Sequence, residues 1–218
     1  MQDMDDIELL RQYAEHDSEE AFTVLVQRHV NLVYSIAFRH VANAHRAEEI
    51  TQAVFVILAR KARKLRPGTV LSGWLYHTAR LTAANAQRSE IQRTRREQEA
   101  YLQSTITENE SDAWTQIGPW LDHAMAGLNE KDRNAIVLRF FEGRNLREVG
   151  TAIGASEEAA KKRVTRALER LRHFFSKRGI TLTAAGLAAA VSANSIQAAP
   201  AGLAISAVAA AKGSAATA

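Results

Sequence analysis

The sequence predicts an all-α protein: two small helical domains joined by a polar linker, followed by an alanine-rich tail. Apolar residues recur at three- and four-residue spacing nearly everywhere up to Phe175, the helical period. Strand signals are almost absent, with no Asn-Gly hairpin pair and little alternation of β-branched residues. A chain of 218 residues is long enough for two small cores.

The N-terminus is acidic, through Asp3, Asp5, Asp6, Glu8, Asp17, Glu19 and Glu20, so the net charge of +4 conceals a segregation of sign. From Glu20 to Val41 a long helix is expected, with Phe22, Leu25, Val26, Val33, Ile36 and Ala37 on its core face. A second runs from Ala44 to Lys64. Ala47, Ile50, Val54, Ile57 and Leu58 face inward, and Glu48, Glu49 and Gln52 face out. Its last turn is basic, as the negative end of the helix dipole favours, and Pro67-Gly68 breaks it.

The third helix, LSGWLYHTARLTAANAQRSEIQRTRRE, carries a narrow stripe of Leu75, Ala79, Ala83 and Ala86. Trp74 and Tyr76 stand among Arg80, Arg88, Arg93, Arg95 and Arg96. Rings beside guanidinium groups suit single-stranded DNA, whose bases stack while its phosphates pair with cations. The same two aromatics would serve equally as core anchors. Residues 97–112 are polar and acidic, with little apolar periodicity, and read as a linker.

Beyond it, LNEKDRNAIVLRFFEGRNLREVGTAIGASEEAAKKRVTRALERLR has the form of a helix-turn-helix. Leu146, Val149 and Ile153 mark a short helix, and Gly154-Ala155-Ser156 makes a turn that ends on a good N-cap residue. Glu157 and Glu158 suit the positive end of the next helix's dipole. Lys161, Lys162, Arg163, Arg166, Arg170 and Arg172 then load one face, with Val164, Ala167, Leu168 and Leu171 on the other. A basic amphipathic helix alone is often only a solvated face. With the short preceding helix, the glycine turn and the capped start, it fits the major groove of duplex DNA.

Cysteine is absent, which excludes disulfides and thiolate metal sites and suits a reducing cytoplasm. No two histidines stand at the i, i+4 spacing of a helical metal site, and no nucleophile–base pair or phosphate loop is present. No cofactor, metal or catalytic residue is therefore expected, and no secretory signal opens the chain. From Gly179 to Ala211 the chain is uncharged and alanine-dominated, interrupted by Ser192, Asn194, Ser195, Gln197 and Pro200. Alanine contributes little to membrane insertion, so a flexible or weakly helical extension is expected rather than a span.

From about Asp17 to Phe175 the chain resembles the bacterial extracytoplasmic-function (ECF) RNA polymerase sigma factors, which keep sigma regions 2 and 4. Three motifs carry the resemblance: RAEEITQAVF at 46–55, WLYHTAR at 74–80, and LRFFEGRNLREVGTAIGASEEAAKKRVTRALERLR at 138–172. The resemblance implies a region 2 domain over 1–96, a linker over 97–116, a region 4 domain over 117–178 and an extension over 179–218. It implies that Glu48, Glu49, Gln52 and Phe55 dock on polymerase, Phe55 partly as core. Pro67, Gly68, Thr69 and Ser72 would form the loop that captures a flipped −10 base, with Trp74, Tyr76, Arg80 and Arg88 beside it. Ser156, Lys161, Lys162, Arg163, Thr165 and Arg166 would meet the −35 element.

The implied partners are core RNA polymerase, through the clamp helices of its largest subunit and the flap of its second-largest, and promoter DNA, with an anti-sigma factor as a further candidate. Ala53 stands where the family usually has glutamate, and Asn129 replaces its proline, although Asn129 with Asp132 can still cap a helix. His77 and Ala84-Asn85 also differ from commoner residues. The alternative is an autonomous helix-turn-helix regulator that binds duplex DNA without polymerase.

Overall fold

The computed structural model describes residues 4–97 and 113–215, with side-chain surroundings over 4–88 and 113–213. Ten α-helices and no strand occur among the described residues. Four helices come first: α1 (Asp6–His16), α2 (Glu19–Val41), α3 (Ala44–Lys61), which ends in a 3₁₀ turn at Ala62–Lys64, and α4 (Leu71–Glu97). The second group is α5 (Ala113–Ala126), α6 (Glu130–Ile136) running into a π-helical turn at Val137–Phe141, α7 (Leu146–Ala152) and α8 (Glu157–Ser176). Two more, α9 (Ala184–Asn194) and α10 (Leu203–Ala215), lie in the alanine-rich tail.

Short polar side chains start most of these helices by accepting backbone N–H groups that would otherwise lack partners. Asp5 caps α1, Ser18 α2, Asn43 α3 and Asn129 α6. Once started, the helices bury the stripes their sequence spacing defines. Phe22, Leu25, Val26, Val33, Ile36 and Ala37 of α2 meet Ala47, Ile50, Val54 and Leu58 of α3 and Leu75, Ala79 and Ala83 of α4, all buried. Each large aliphatic or aromatic side chain so enclosed contributes about 1.5–3 kcal/mol. Two expected core positions differ. Ile57 is only half-buried, and Ala86 is exposed because α4 has by then run past the helices that cover its earlier turns.

Residues 113–116, expected in the linker, form the first turn of α5, while 98–112 lie outside the described residues. The second core gathers Ile117, Leu121, Met125, Ile136, Val137, Val149, Val164, Leu171 and Phe175.

The tail departs most from expectation, since it is folded and packed. Thr183 caps α9 by accepting Gly186 N–H, and Leu187, Ala190 and Val191 face α5, α8 and the π-helical turn. Leu203, Ala207, Val208 and Ala211 of α10 are buried against α2 and α3. Alanine is the best intrinsic helix former, and its small side chain lets helices approach closely. No helix among the described residues is long and apolar enough to cross a membrane.

The two helical groups meet at a buried polar network. Arg39 of α2 donates from Nε to Asp122 Oδ2 of α5 at 3.0 Å, from Nη2 to Oδ1 at 3.3 Å, and from Nη1 to the Ser195 carbonyl at 2.6 Å. Tyr76 of α4 donates its hydroxyl to the same carboxylate. Asp122 is 5% exposed, yet its pKa lies below the ordinary value: burial would raise it, but the charge and bond of Arg39, the charge of His40 and the bond from Tyr76 together more than offset that. Burial and the adjacent carboxylate push the Tyr76 hydroxyl well up, so it remains a donor. Phe141 seals this corner, edge-on to Tyr76 at 5.5 Å and under the Arg39 guanidinium at 5.8 Å.

Candidate DNA and polymerase interfaces

The helix-turn-helix is built from local rules. Asn145 and Glu148 form a reciprocal capping box at the start of α7, with both hydrogen bonds at 2.9 Å. Gly154 has φ +66, the left-handed conformation that glycine adopts freely, and turns the chain towards α8. Gly150 allows the turn to close: a Cβ there would stand 2.8 Å from the Ala155 carbonyl oxygen and 3.2 Å from Glu157 N. Ser156 then caps α8 by accepting Ala159 N–H at 3.2 Å, so it has a structural task at the helix end that faces outward.

On α8 the cations divide into two sets. Asp132 of α6 is 0% exposed and receives three arginines: Arg163 Nη1 at 3.2 Å, Arg166 Nη2 at 2.8 Å and Arg170 Nη1 at 3.0 Å. Burial would raise the Asp132 pKa, but the bond and charge of Arg166, the charge of Arg170 and a bond from Asn129 bring it below the ordinary value. Arg163, expected on the reading face, is thus drawn inward, with its side chain 26% exposed. Arg166 and Arg170 are half-exposed and reach solvent beside the carboxylate. Lys161 and Thr165 are exposed, and Lys162 is exposed while pairing with Glu158 at 2.8 Å. No local pattern marks Asp132 as the hub, since it lies 31 residues before the first of its arginines.

The loop before α4 opens on a cleft of about 1140 Å³ between the two helical groups. Gly68, Thr69 and Ser72 line one side, with Arg144, Arg147 and Thr151 opposite and Arg28 at the margin. Pro67 and Gly68 are exposed, and Thr69 Oγ1 donates to the Arg66 carbonyl at 2.8 Å, which steadies the turn. Ser72 is buried and Trp74 and Arg80 are half-buried, whereas Arg88 is exposed further along α4. Tyr76 is 0% exposed and committed to Asp122, so in this arrangement it is an anchor between domains rather than a free stacking surface. Asp6 forms part of the cleft wall; burial would raise its pKa, but His29 at 2.8 Å and Arg28 at 2.9 Å lower it to about 2.

On α3, Glu49 is exposed beside His45 at 3.4 Å and Glu48 is half-buried. Gln52 donates from Nε2 to Ser206 Oγ of α10 at 3.1 Å. Phe55, expected to share core and contact roles, is 0% exposed and belongs wholly to the core.

A helix-turn-helix with a cationic second helix thus stands beside a helical bundle whose α4 carries Trp74, Arg80 and Arg88. The family model "Sigma-70 region 2" matches residues 25–97, and "Sigma-70, region 4" matches 124–173. The chain is 31% identical over 165 residues to RNA polymerase sigma factor CarQ of Myxococcus xanthus, covering 73% of this chain and 92% of that one. It is 29% identical over 157 residues to ECF RNA polymerase sigma factor SigE of Mycolicibacterium smegmatis, covering 70% of this chain and 61% of that relative's length. A solved complex of the sigma factor RpoE with the anti-sigma factor NepR from Bartonella quintana aligns at 18% identity with a TM-score of 0.36, over 76% of this chain and 98% of that one; so loose a likeness carries no argument. The chain belongs to the ECF RNA polymerase sigma factors.

Proposed function

We propose that this chain binds core RNA polymerase through α3, directs it to promoters through α8 at −35 and residues 67–72 with the rest of α4 at −10, and assists opening of the duplex. The observation that carries the reading is the presence, in one chain and in family order, of a region 2 bundle and a region 4 helix-turn-helix. An autonomous regulator needs only the second.

Glu48, Glu49 and Gln52 are the docking side chains, set on a helix whose opposite face is held rigid by Ile50, Val54 and Phe55. Lys161, Lys162, Thr165 and Arg166 meet −35 DNA; an arginine or lysine pairs with guanine edges, and the other cations hold phosphates. Gly68, Thr69, Trp74, Arg80 and Arg88 serve the −10 strand, where a pocket with stacking offsets the few kcal/mol of extruding a base. The chain acts by binding, in the cytoplasm; phosphodiester synthesis is the polymerase's work. Reversing both charges, Glu48→Lys with Glu49→Lys, should abolish binding to core polymerase while circular dichroism stays that of the parent. Undiminished binding would refute the docking assignment.

A further inference from the structure

The alanine-rich helix α10, whose one charge is Lys212 in its last turn, lies on the helix assigned to polymerase docking. No pair of helices among the described residues is in more extensive contact than α10 and α3. Leu203, Ala207 and Ala211, spaced four apart, form a buried face on α10, while Ile205 on the opposite side is 77% exposed. Gln52 is bonded to Ser206, and Glu48 stands one turn before Gln52 on the same side of α3.

The segment is also fastened to α2 along its course. Arg39 holds the Ser195 carbonyl at the end of α9. In the connector, Ser35 Oγ accepts Gln197 N–H at 2.8 Å and Asn31 Oδ1 accepts Ala199 N–H at 2.9 Å. At the far end of α10, Lys212 pairs with Glu19 in the first turn of α2. These bonds use particular side chains of the region 2 bundle, so α10 has a defined register on it.

We infer that α10 is an intramolecular ligand of the α3 face, and that polymerase must displace it to dock. The inference rests on the proposed docking role of α3. A helical partner reaching Gln52 and Glu48 needs space that α10 fills. The apparent affinity of the free chain for polymerase is then reduced by the fraction of time that α10 leaves the face. What the site accepts is a helix whose buried face is made of Leu203 and small residues, Ala207 and Ala211, which lets it pack closely on α3.

The chain has no cysteine, so a pair can be introduced cleanly. In the full chain, Glu19→Cys with Lys212→Cys, joined by a short thiol-reactive linker containing a cleavable disulfide, fixes α10 in place. Binding to core RNA polymerase should weaken at least about tenfold on linking and recover on cleavage, as expected when the competent fraction is removed and restored. Conversely, Ala211→Glu puts a charge into the buried contact and should release α10, strengthening binding by a similar factor, whereas Ile205→Glu on the exposed side should leave it unchanged. Equal affinity of the linked, cleaved and Ala211→Glu forms would overturn the inference and leave the sigma factor reading standing. Failure of every form, the unlinked parent included, to bind polymerase would overturn that reading and the inference with it.

Discussion

Replacing Asp122 with alanine should open the molecule along the boundary between its two helical groups. The carboxylate is the common partner of Arg39 and Tyr76, which come from α2 and α4, while Asp122 itself sits on α5. Its loss leaves a guanidinium whose side chain is 10% exposed with only the Ser195 carbonyl, and leaves a buried hydroxyl without its acceptor. Stripping one partner from a buried ion pair costs about 3–5 kcal/mol, and an unsatisfied hydroxyl adds roughly 1–3 kcal/mol.

Because the partners lie on different helical groups, separation lets water reach both stranded groups, so the cost falls on the closed-to-open equilibrium. The two costs together, about 4–8 kcal/mol, are roughly three to six orders of magnitude in that equilibrium. Dyes on Asn85→Cys and Lys177→Cys, both exposed and on different groups, report the separation by energy transfer. Transfer should fall sharply in Asp122→Ala. The combination Arg39→Met, Tyr76→Phe and Asp122→Leu removes every polar member together and should recover most of it. Parental transfer efficiency in Asp122→Ala would refute the idea that this network holds the groups together.

Asp132→Asn should release the arginines of α8. Each guanidinium that gains a phosphate steepens the dependence of log K on log salt by about 0.9, so non-specific duplex binding should tighten at low salt with a slope steeper by roughly 1–3. Stability should fall by only about 1 kcal/mol, because Arg166 and Arg170 are half-exposed and water screens them. Fluorescence anisotropy across a salt series would test this, and an unchanged slope would show that the carboxylate does not hold the arginines back. At acid pH, Asp6 should matter. Folding lowers its pKa from 3.8 to about 2, so its contribution is complete above the unfolded value and is lost as pH falls through the folded one. The shift corresponds to about 2 kcal/mol, and urea midpoints of Asp6→Asn should converge on the parent's as pH falls from about 5 to 2.

Local rules were legible in the sequence, and long-range choices were not. The stripes of α2 and α3, the Ser156 and Asn129 caps and the Gly154 turn follow from spacing and residue chemistry within one or two turns. Tyr76 could not be resolved that way, because a ring beside an arginine has the same local pattern whether it stacks on a base or anchors a core. In the fold its hydroxyl is bonded to Asp122, 46 residues away. Arg163 neighbours Lys162 in sequence but belongs to Asp132 in space. The tail was hardest to anticipate, since alanine faces carry a weak periodic signal and their burial depends on the shape of α3 and α8. Phe55 has the local pattern of a residue shared between core and contact, and the packing around it encloses it completely.

Run-off transcription from a library of promoter fragments, with core bacterial RNA polymerase in the presence and absence of this protein, tests the central claim most directly. Initiation that requires both components, from templates sharing one −35 and one −10 element, is the expected result. Absence of initiation from every template, together with tight and specific binding of duplex DNA by the protein alone, would contradict the sigma factor assignment and favour an autonomous regulator.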